Sequence, residues 1–337
     1  MIGPWREYRL TLGMPFLLPG RLSEVELLKH LGAFQWRSVA ATAGLAENAL
    51  CNEAGERLHF SMITTELGME PTRGWEDFDE GTELFVQHRL GVFGKKLVEG
   101  LFLWDRAPIP EEILTRVETP EALRASGKPW TYLTHGFATR GAGTWAKLET
   151  PRSFASCALP EVAERPQGID RHLKVERTGT ISGAPAGAPL AAIDYERVEY
   201  RVVPESDLNA LGQVYCARFP AILGYGERRF LRERLAHPLS APLLECLSTE
   251  HRELYYFANA RSEDTLQIDV RAQIIPGGAQ APAKMRIPFR VVFRSDLFRA
   301  ADGVLMASAC TRQVLKVPGH LKAVLSEAER FLTRWTS

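Results

Sequence analysis

Asp207-Leu208-Asn209-Ala210-Leu211-Gly212-Gln213-Val214-Tyr215-Cys216-Ala217-Arg218-Phe219-Pro220 is the stretch whose reading decides the fold. Leu208, Leu211, Tyr215, Phe219 and Ile222 recur at helical spacing, which predicts one apolar helix. Asp207 and Asn209 stand at its start, where a short polar side chain can accept a hydrogen bond from an otherwise unpaired N–H. Gly212 in the interior costs a helix about 1 kcal/mol against alanine, which predicts a close approach to its backbone. On both sides the period changes to alternation. Tyr195–Val203 reads as a strand before the helix; Glu253–Ala260, Thr265–Ile275, Lys284–Arg294 and Val304–Leu315 read as strands after it. A last amphipathic helix starts near Pro318 and carries Leu321, Val324, Leu325 and Phe331. An apolar helix followed by long strands predicts a curved sheet wrapped round a buried helix.

The first half repeats this order. Tyr8–Leu12 is a short strand leading into Gly13, Pro15 and Pro19-Gly20. Ser23 and Glu26 then have capping-box spacing, and Leu22 with Leu27 supplies the matching hydrophobic staple. Leu27, Leu28, Leu31 and Phe34 continue on one face, so the helix running to Trp36 has a buried side. Strands are expected at Arg57–Thr65, Thr82–Phe93, Lys96–Trp104, Trp130–Thr139 and Thr144–Ser156. Between the halves, Leu159 to Ala192 is rich in Pro, Gly, Ala and charge and reads as a linker or long crossing loop. The expected domains are therefore 1–158 and 193–337, joined by 159–192. Strand, capped helix and four or more strands without βαβ spacing, present twice, predict an α+β double hot-dog fold.

Bulk composition narrows the function classes. With 337 residues, the chain is long enough for two cores. Lys plus Arg (41) balance Asp plus Glu (41), so no global field gathers nucleic acid or an anionic membrane. No apolar run reaches transmembrane length, and the start Met1-Ile2-Gly3-Pro4-Trp5 lacks a secretory core, so a cytoplasmic location is expected. Five dispersed cysteines (Cys51, Cys157, Cys216, Cys246, Cys310) contain no CxxC and imply neither a disulfide framework nor a zinc ribbon. No cofactor or metal motif is present.

Two segments resemble the LnmK-like double-hot-dog proteins of polyketide and related biosynthetic clusters. One is Gly13-Met14-Pro15 through Pro19-Gly20-Arg21-Leu22-Ser23-Glu24 and on to Trp36. The other is Val198-Glu199-Tyr200 followed by Asp207-x-Asn209-x-x-Gly212-x-x-Tyr215-x-Ala217. The resemblance implies an acyltransferase/decarboxylase of secondary metabolism that moves a (methyl)malonyl- or propionyl-type group from coenzyme A to an acyl carrier protein. It implies acyl-CoA and an acyl carrier protein as partners, with no nucleic acid and no membrane, and is compatible with a homodimer. The family's acyl-carrying residue is a tyrosine on the strand after the first helix. Here the sequence departs: aligning Gly55–Ser61 on that strand places His59 at the tyrosine position, and no tyrosine lies between Tyr8 and Tyr132.

The chemistry such a site needs can be assigned residue by residue. Decarboxylating a malonyl-type thioester leaves an enolate, which unpaired N–H groups at a helix start can stabilise. Gly20 and Ser23 at the first helix, and Asp207, Asn209 and Gly212 at the second, are the candidates; the alternative is that both are ordinary caps. His59 can serve as a general base or carry an acyl group transiently, or it is a strand histidine on a half-exposed face. His135 is a weaker copy of the same argument. Tyr215 places a hydroxyl at the groove or packs in the core. Cys216 reads as an inert buried thiol. Arg218, Arg228, Arg229, Arg232 and Arg234 can grip a coenzyme A phosphate or an acidic carrier surface, or form a solvated face with Glu227 and Glu233. Hot-dog dehydratases carry a catalytic histidine upstream of Pro-Gly; here the first histidine is His30, so dehydration at that site is disfavoured. The competing functions are thus thioester hydrolysis or dehydration with His59 as base, and a non-catalytic scaffold for carrier proteins or acyl chains.

Overall fold

The computed structural model describes residues 2–18, 21–46, 49–70, 73–139, 148–155, 159–178, 191–233, 235, 238–277 and 285–336. It divides into two units: Met1–Gly68 with Glu76–Gly179 and Tyr255–Asn259, and Met69–Trp75 with Thr180–Leu254 and Ala260–Ser337.

Unit 1 contains β1 (Arg6–Thr11), α1 (Glu24–Thr42), β2 (Leu58–Gly68), β3 (Glu83–Phe93), β4 (Leu97–Asp105), β5 (Trp130–Thr139) and α2 (Gln167–Thr178). The start of α1 is the one the sequence dictates. Ser23 Oγ accepts the Glu26 N–H at 3.3 Å, and the staple residues Leu22 and Leu27 are each 1% exposed. The second half of the capping box does not form: the Ser23 N–H donates to Phe16 O at 2.8 Å, and the Glu26 carboxylate pairs with Lys29 at 2.7 Å. The strands run in the order β1-β3-β4-β5-β2, with antiparallel registers throughout. Along α1 the buried side chains Leu27, Leu28, Leu31, Gln35 and Val39 form one face. Val39 and Ala40 pack with Leu58, Leu90, Val92, Val98 and Phe137 from the sheet. Burying each such aliphatic side chain contributes roughly 1.5–3 kcal/mol. The opposite face of the sheet presents Leu101, Leu103, Trp130 and Tyr132, covered by Ile109, Leu114, Val117 and Leu123.

Unit 2 contains β6 (Ala191–Arg201), α3 (Phe219–Glu233), β7 (Leu247–Tyr256, as far as Leu254), β8 (Thr265–Pro276), β9 (Phe289–Arg299), β10 (Leu305–Leu315) and α4 (Lys322–Thr336). Its strand order, β6-β8-β9-β10-β7, is that of unit 1 position for position. Each unit is a hot-dog: one long helix packed against one face of a five-stranded sheet. The internal repeat of architecture expected from the sequence is present.

The deciding stretch is not itself the helix. Pro204–Asp207 makes one helical turn, Leu208–Val214 folds back on itself, Cys216–Arg218 makes a 3-10 turn, and α3 begins only at Phe219. The helical spacing of Leu208, Leu211 and Tyr215 is broken by Gly212, which sits at φ +71°. That left-handed conformation stops a helix and suits glycine. A Cβ on Gly212 would meet nothing within 4 Å, so no close approach occurs there. The close approach is at Gly226 on α3, where a Cβ would lie 2.8 Å from Ile268 Cγ2.

Elsewhere the differences are local. Within the expected linker, Gln167–Thr178 is helical and packs on β2. The strand expected at Thr144–Ser156 is, in its described part, a single bridge from Leu148 to Ala138 followed by a 3-10 turn at Arg152–Ala155. The strand expected at Lys284–Arg294 runs instead from Phe289 to Arg299.

Candidate functional site

The most heavily bonded polar group ahead of a central helix is Asp207. Strand β6 ends at Arg201, and Pro204 opens the single turn because its fixed φ suits a helix start. This turn carries Asp207 back beneath the strand end, where its side chain is fully buried. Its carboxylate accepts from Tyr200 Oη (2.8 Å), Val203 N (2.8 Å), Ser206 Oγ (3.2 Å), and Arg218 Nε (3.1 Å) and Nη2 (2.9 Å). Burial alone raises a carboxyl pKa; here the Val203 N–H, Tyr200 and Arg218 together outweigh it and hold Asp207 below its usual range. Burial and the Asp207 charge push the Tyr200 phenol up to about 12, so its proton stays on the oxygen at neutral pH. Asp207 is therefore an ionised anchor rather than a base.

What the anchor fixes is the turn that follows. The Tyr215 N–H donates to the Asp207 carbonyl at 2.7 Å, and Leu208 bridges Val214. Inside this closed loop, Asn209 Oδ1 accepts the Leu211 N–H (2.9 Å) and the Gln213 N–H (3.2 Å). Asn209 also donates its own N–H to Gln213 O and accepts the Gly212 N–H, at 2.8 and 2.9 Å. Both ends of the turn are clamped, and the Asn209 side-chain carbonyl is committed to the turn's own backbone. The N–H groups of that side chain have no partner among the described residues. Asn209 is half-exposed, so its amide nitrogen is free to donate to a ligand or to water.

The other residues singled out by sequence are not gathered here. Ser23 is the cap of α1, bonded to its own helix; Gly20 lies outside the described residues, as do Arg234 and Cys157. Asp207 and Gly212, expected at a helix start, belong instead to the turn ahead of it. Tyr215 precedes the 3-10 turn, half-buried, and is not part of a helical stripe. Burial pushes the Cys216 thiol up to about 11, in keeping with an inert cysteine. Arg218 is committed to Asp207, and Arg229 and Arg232 share Glu233 at 2.7 and 2.9 Å. Arg228 is half-buried on α3.

In unit 1, His59 on β2 is half-buried and pairs with Ala138 on β5. Leu58 and Phe60 pack on the α1 side, so His59 faces the other side of the sheet. His135 faces α1, its ring 4.7 Å from that of Phe60, and burial lowers its pKa to about 3. The two histidines are therefore on opposite faces and do not act together. Sequence reasoning missed Tyr200 as a partner of Asp207. The available signal was its place at a strand end, seven residues before an aspartate, within the segment Val198-Glu199-Tyr200.

Comparison with solved structures fixes the class: the chain has the double hot-dog fold. A candidate oleoyl thioesterase from Lactobacillus plantarum superposes with a TM-score of 0.56 at 10% identity, over 92% of this chain and 96% of that one. The 12:0-ACP thioesterase from Umbellularia californica gives 0.52 at 11% identity, over 94% and 98%. No protein-family model and no curated protein sequence matches the chain. No helix among the described residues is long and apolar enough to cross a membrane.

Proposed function

We propose that this protein hydrolyses acyl thioesters of an acyl carrier protein or coenzyme A. The observation that supports this reading above others is the full-length likeness of its fold to two thioesterases, one named for an acyl carrier protein substrate. In the reaction, water attacks the thioester carbonyl, the C–S bond breaks, and the thiolate leaves and takes up a proton. The Asn209 amide, held by the Asp207 anchor, donates to the carbonyl oxygen as it becomes an oxyanion.

A second reading keeps the same donor and changes the acceptor. The segment that resembles the LnmK-like family, Asp207 to Ala217, includes the locked turn that carries Asn209. If the carrier's thiol replaces water, coenzyme A leaves as the thiol and the product is an acyl carrier protein bearing a propionyl-type group; with a methylmalonyl-type substrate, the donor stabilises the enolate left by loss of carbon dioxide, which takes up a proton from solvent to give that group. No tyrosine stands at the family's acyl-carrying position, so transfer would run directly from the donor thioester to the carrier thiol.

The test is to incubate the protein with dodecanoyl-, malonyl- and methylmalonyl-CoA, with and without acyl carrier protein. Thiol release, carbon dioxide and intact protein masses are followed. Free acid with thiol release supports hydrolysis, and a mass gain on the carrier supports transfer. Asn209→Ala should lower kcat by about 10²-fold or more, the loss typical of one oxyanion donor. Absence of every product would reject both readings and leave a binding scaffold.

A further inference from the structure

Strand β6 is one edge of the unit 2 sheet: it pairs with β8, and its other side meets no strand among the described residues. A bare edge is a row of unpaired N–H and C=O groups, a template for another strand. Proteins blunt such edges with short strands, lysine, proline or a bulge. β6 runs for 11 residues and contains neither lysine nor proline. Its register shift against β8 lies before Glu196, so Glu196–Arg201 is a regular edge.

The charges on this edge alternate in sign. Arg197, Glu199 and Arg201 follow one another on one face of the strand. Charge protects an edge when every pairing brings like charges together, and here one pairing does not. Two copies of β6 can lie antiparallel about a twofold axis perpendicular to the sheet, with one residue opposite itself. Centred on Glu196, Arg197 or Glu199, that axis sets a charge against its own copy, which destabilises the pair. Centred on Tyr200, it leaves only Glu199–Arg201 of the strand paired. Centred on Val198, it sets Arg197 of each copy opposite Glu199 of the other, on both sides of the axis.

The side chains are placed for this. On β1, the edge of unit 1, the comparable charges are spent within the chain: Glu7 accepts from Arg9 Nε at 3.3 Å and from Gln87 Nε2 at 2.7 Å. On β6, Glu199 is exposed and has no partner among the described residues. Arg197 donates to Asp269 at 2.7 and 3.0 Å and is still 48% exposed; its guanidinium carries five N–H donors, more than one carboxylate uses. Apolar surface flanks the same edge. Tyr225 of α3 is 42% exposed and meets the Tyr200 ring edge-on at 5.4 Å, and Val203, just past the strand, is 44% exposed.

We propose that two copies of this protein pair edge to edge through β6, antiparallel about an axis at Val198, with Arg197 and Glu199 setting the register. The unit 2 sheet then continues across the dimer. This inference stands apart from the thioester reading. Tyr200 lies within the paired stretch and its hydroxyl donates to Asp207, so the anchor of each copy borders the interface.

Sedimentation velocity over a concentration series tests it. The wild type should dimerise as concentration rises. Glu199→Arg and Arg197→Glu each turn two opposite-charge pairs into two like-charge pairs, and each should raise the dissociation constant by about tenfold or more. An equimolar mixture of the two variants should recover the dimer, because every Arg then faces a Glu of the other variant. Val198→Cys should give a disulfide-linked dimer on mild oxidation, above the wild-type background, and Glu196→Cys should not. A wild type that stays monomeric, single variants that dimerise like the wild type, or a mixture that stays monomeric overturns the proposal. Circular dichroism checks the fold of each variant. Should Arg197→Glu not fold without its Asp269 pair, the Glu199→Arg shift and the Val198→Cys cross-link decide the matter by themselves.

Discussion

The Asp207 anchor makes a quantitative demand on stability. In Asp207→Ala, the Arg218 guanidinium, the Tyr200 hydroxyl and the Val203 N–H all lose their acceptor. Removing one partner of a buried ion pair typically costs 3–5 kcal/mol. Arg218 is 23% exposed, so water can recover part of its loss, while Asp207 is fully buried. The expected cost is therefore about 3–4 kcal/mol for Asp207→Ala and about 2 kcal/mol for Arg218→Ala, where three other donors still hold the carboxylate. Asp207→Asn should fall near the larger value, because its amide nitrogen must face one of the existing donors. Urea unfolding followed by circular dichroism, fitted as two transitions if the units separate, measures these differences, and the double variant gives the coupling. The pH dependence has a definite sign. A carboxyl held below its unfolded pKa of about 3.9 gives stability that is full above that value and lost as pH falls through the folded pKa. An Asp207→Ala protein within 0.5 kcal/mol of wild type, on the scale of an ordinary surface change, would refute the anchor.

Three further outcomes follow from other features. Gly212→Ala should cost about 1–2 kcal/mol from backbone strain alone, since space is open around it, whereas Gly226→Ala should destabilise by pushing α3 off Ile268; equal effects in urea unfolding would contradict this. His88 and His135 are buried, with pKa values lowered by burial to about 4 and about 3, so unit 1 should be fully stable above pH 6.5 and lose stability as pH falls toward 3–4. The slope should approach roughly 1.4 kcal/mol per pH unit per histidine, and His135→Phe should flatten it. Cys216, pushed up to about 11, should react with iodoacetamide far more slowly than free cysteine at pH 8, as peptide mapping after timed alkylation can show.

How far the sequence could be read depended on whether local rules and the fold agreed. At α1, Ser23, Leu22 and Leu27 each serve the helix start in the way their spacing implies, and β3, β4 and β5 follow the alternation closely. The 207–218 segment misled because Leu208, Leu211 and Tyr215 have helical spacing while packing from a hairpin. The contrary signal was present in Asn209 and Gly212: a short amide that bonds its own backbone, and a glycine three residues later that permits φ > 0. Helix α2 was hidden by composition, since its buried positions include Gly168 and His172 rather than a run of leucines. The buried Glu227, which accepts from Thr311 and Gln313, could not be read at all, because a polar residue on a helix declares no partner until the sheet beneath it is known.

The shared strand order has a consequence for how the chain folds. In unit 1, β2 follows α1 directly in sequence yet pairs with β5, so Leu58 must wait for Thr139. The neighbours β3, β4 and β5, by contrast, pair in sequence order. Closing a long loop has an entropic cost before any contact rewards it, and non-local pairings slow folding. The expected nucleus is thus the β3–β4–β5 meander, with α1 laid across it and β2 added last. In unit 2 the meander β8–β9–β10 stands in the same place, and β7 is the late strand. A protein emerging from the ribosome would hold each central helix in waiting, apolar face unpaired, until nearly all of its own unit has been made.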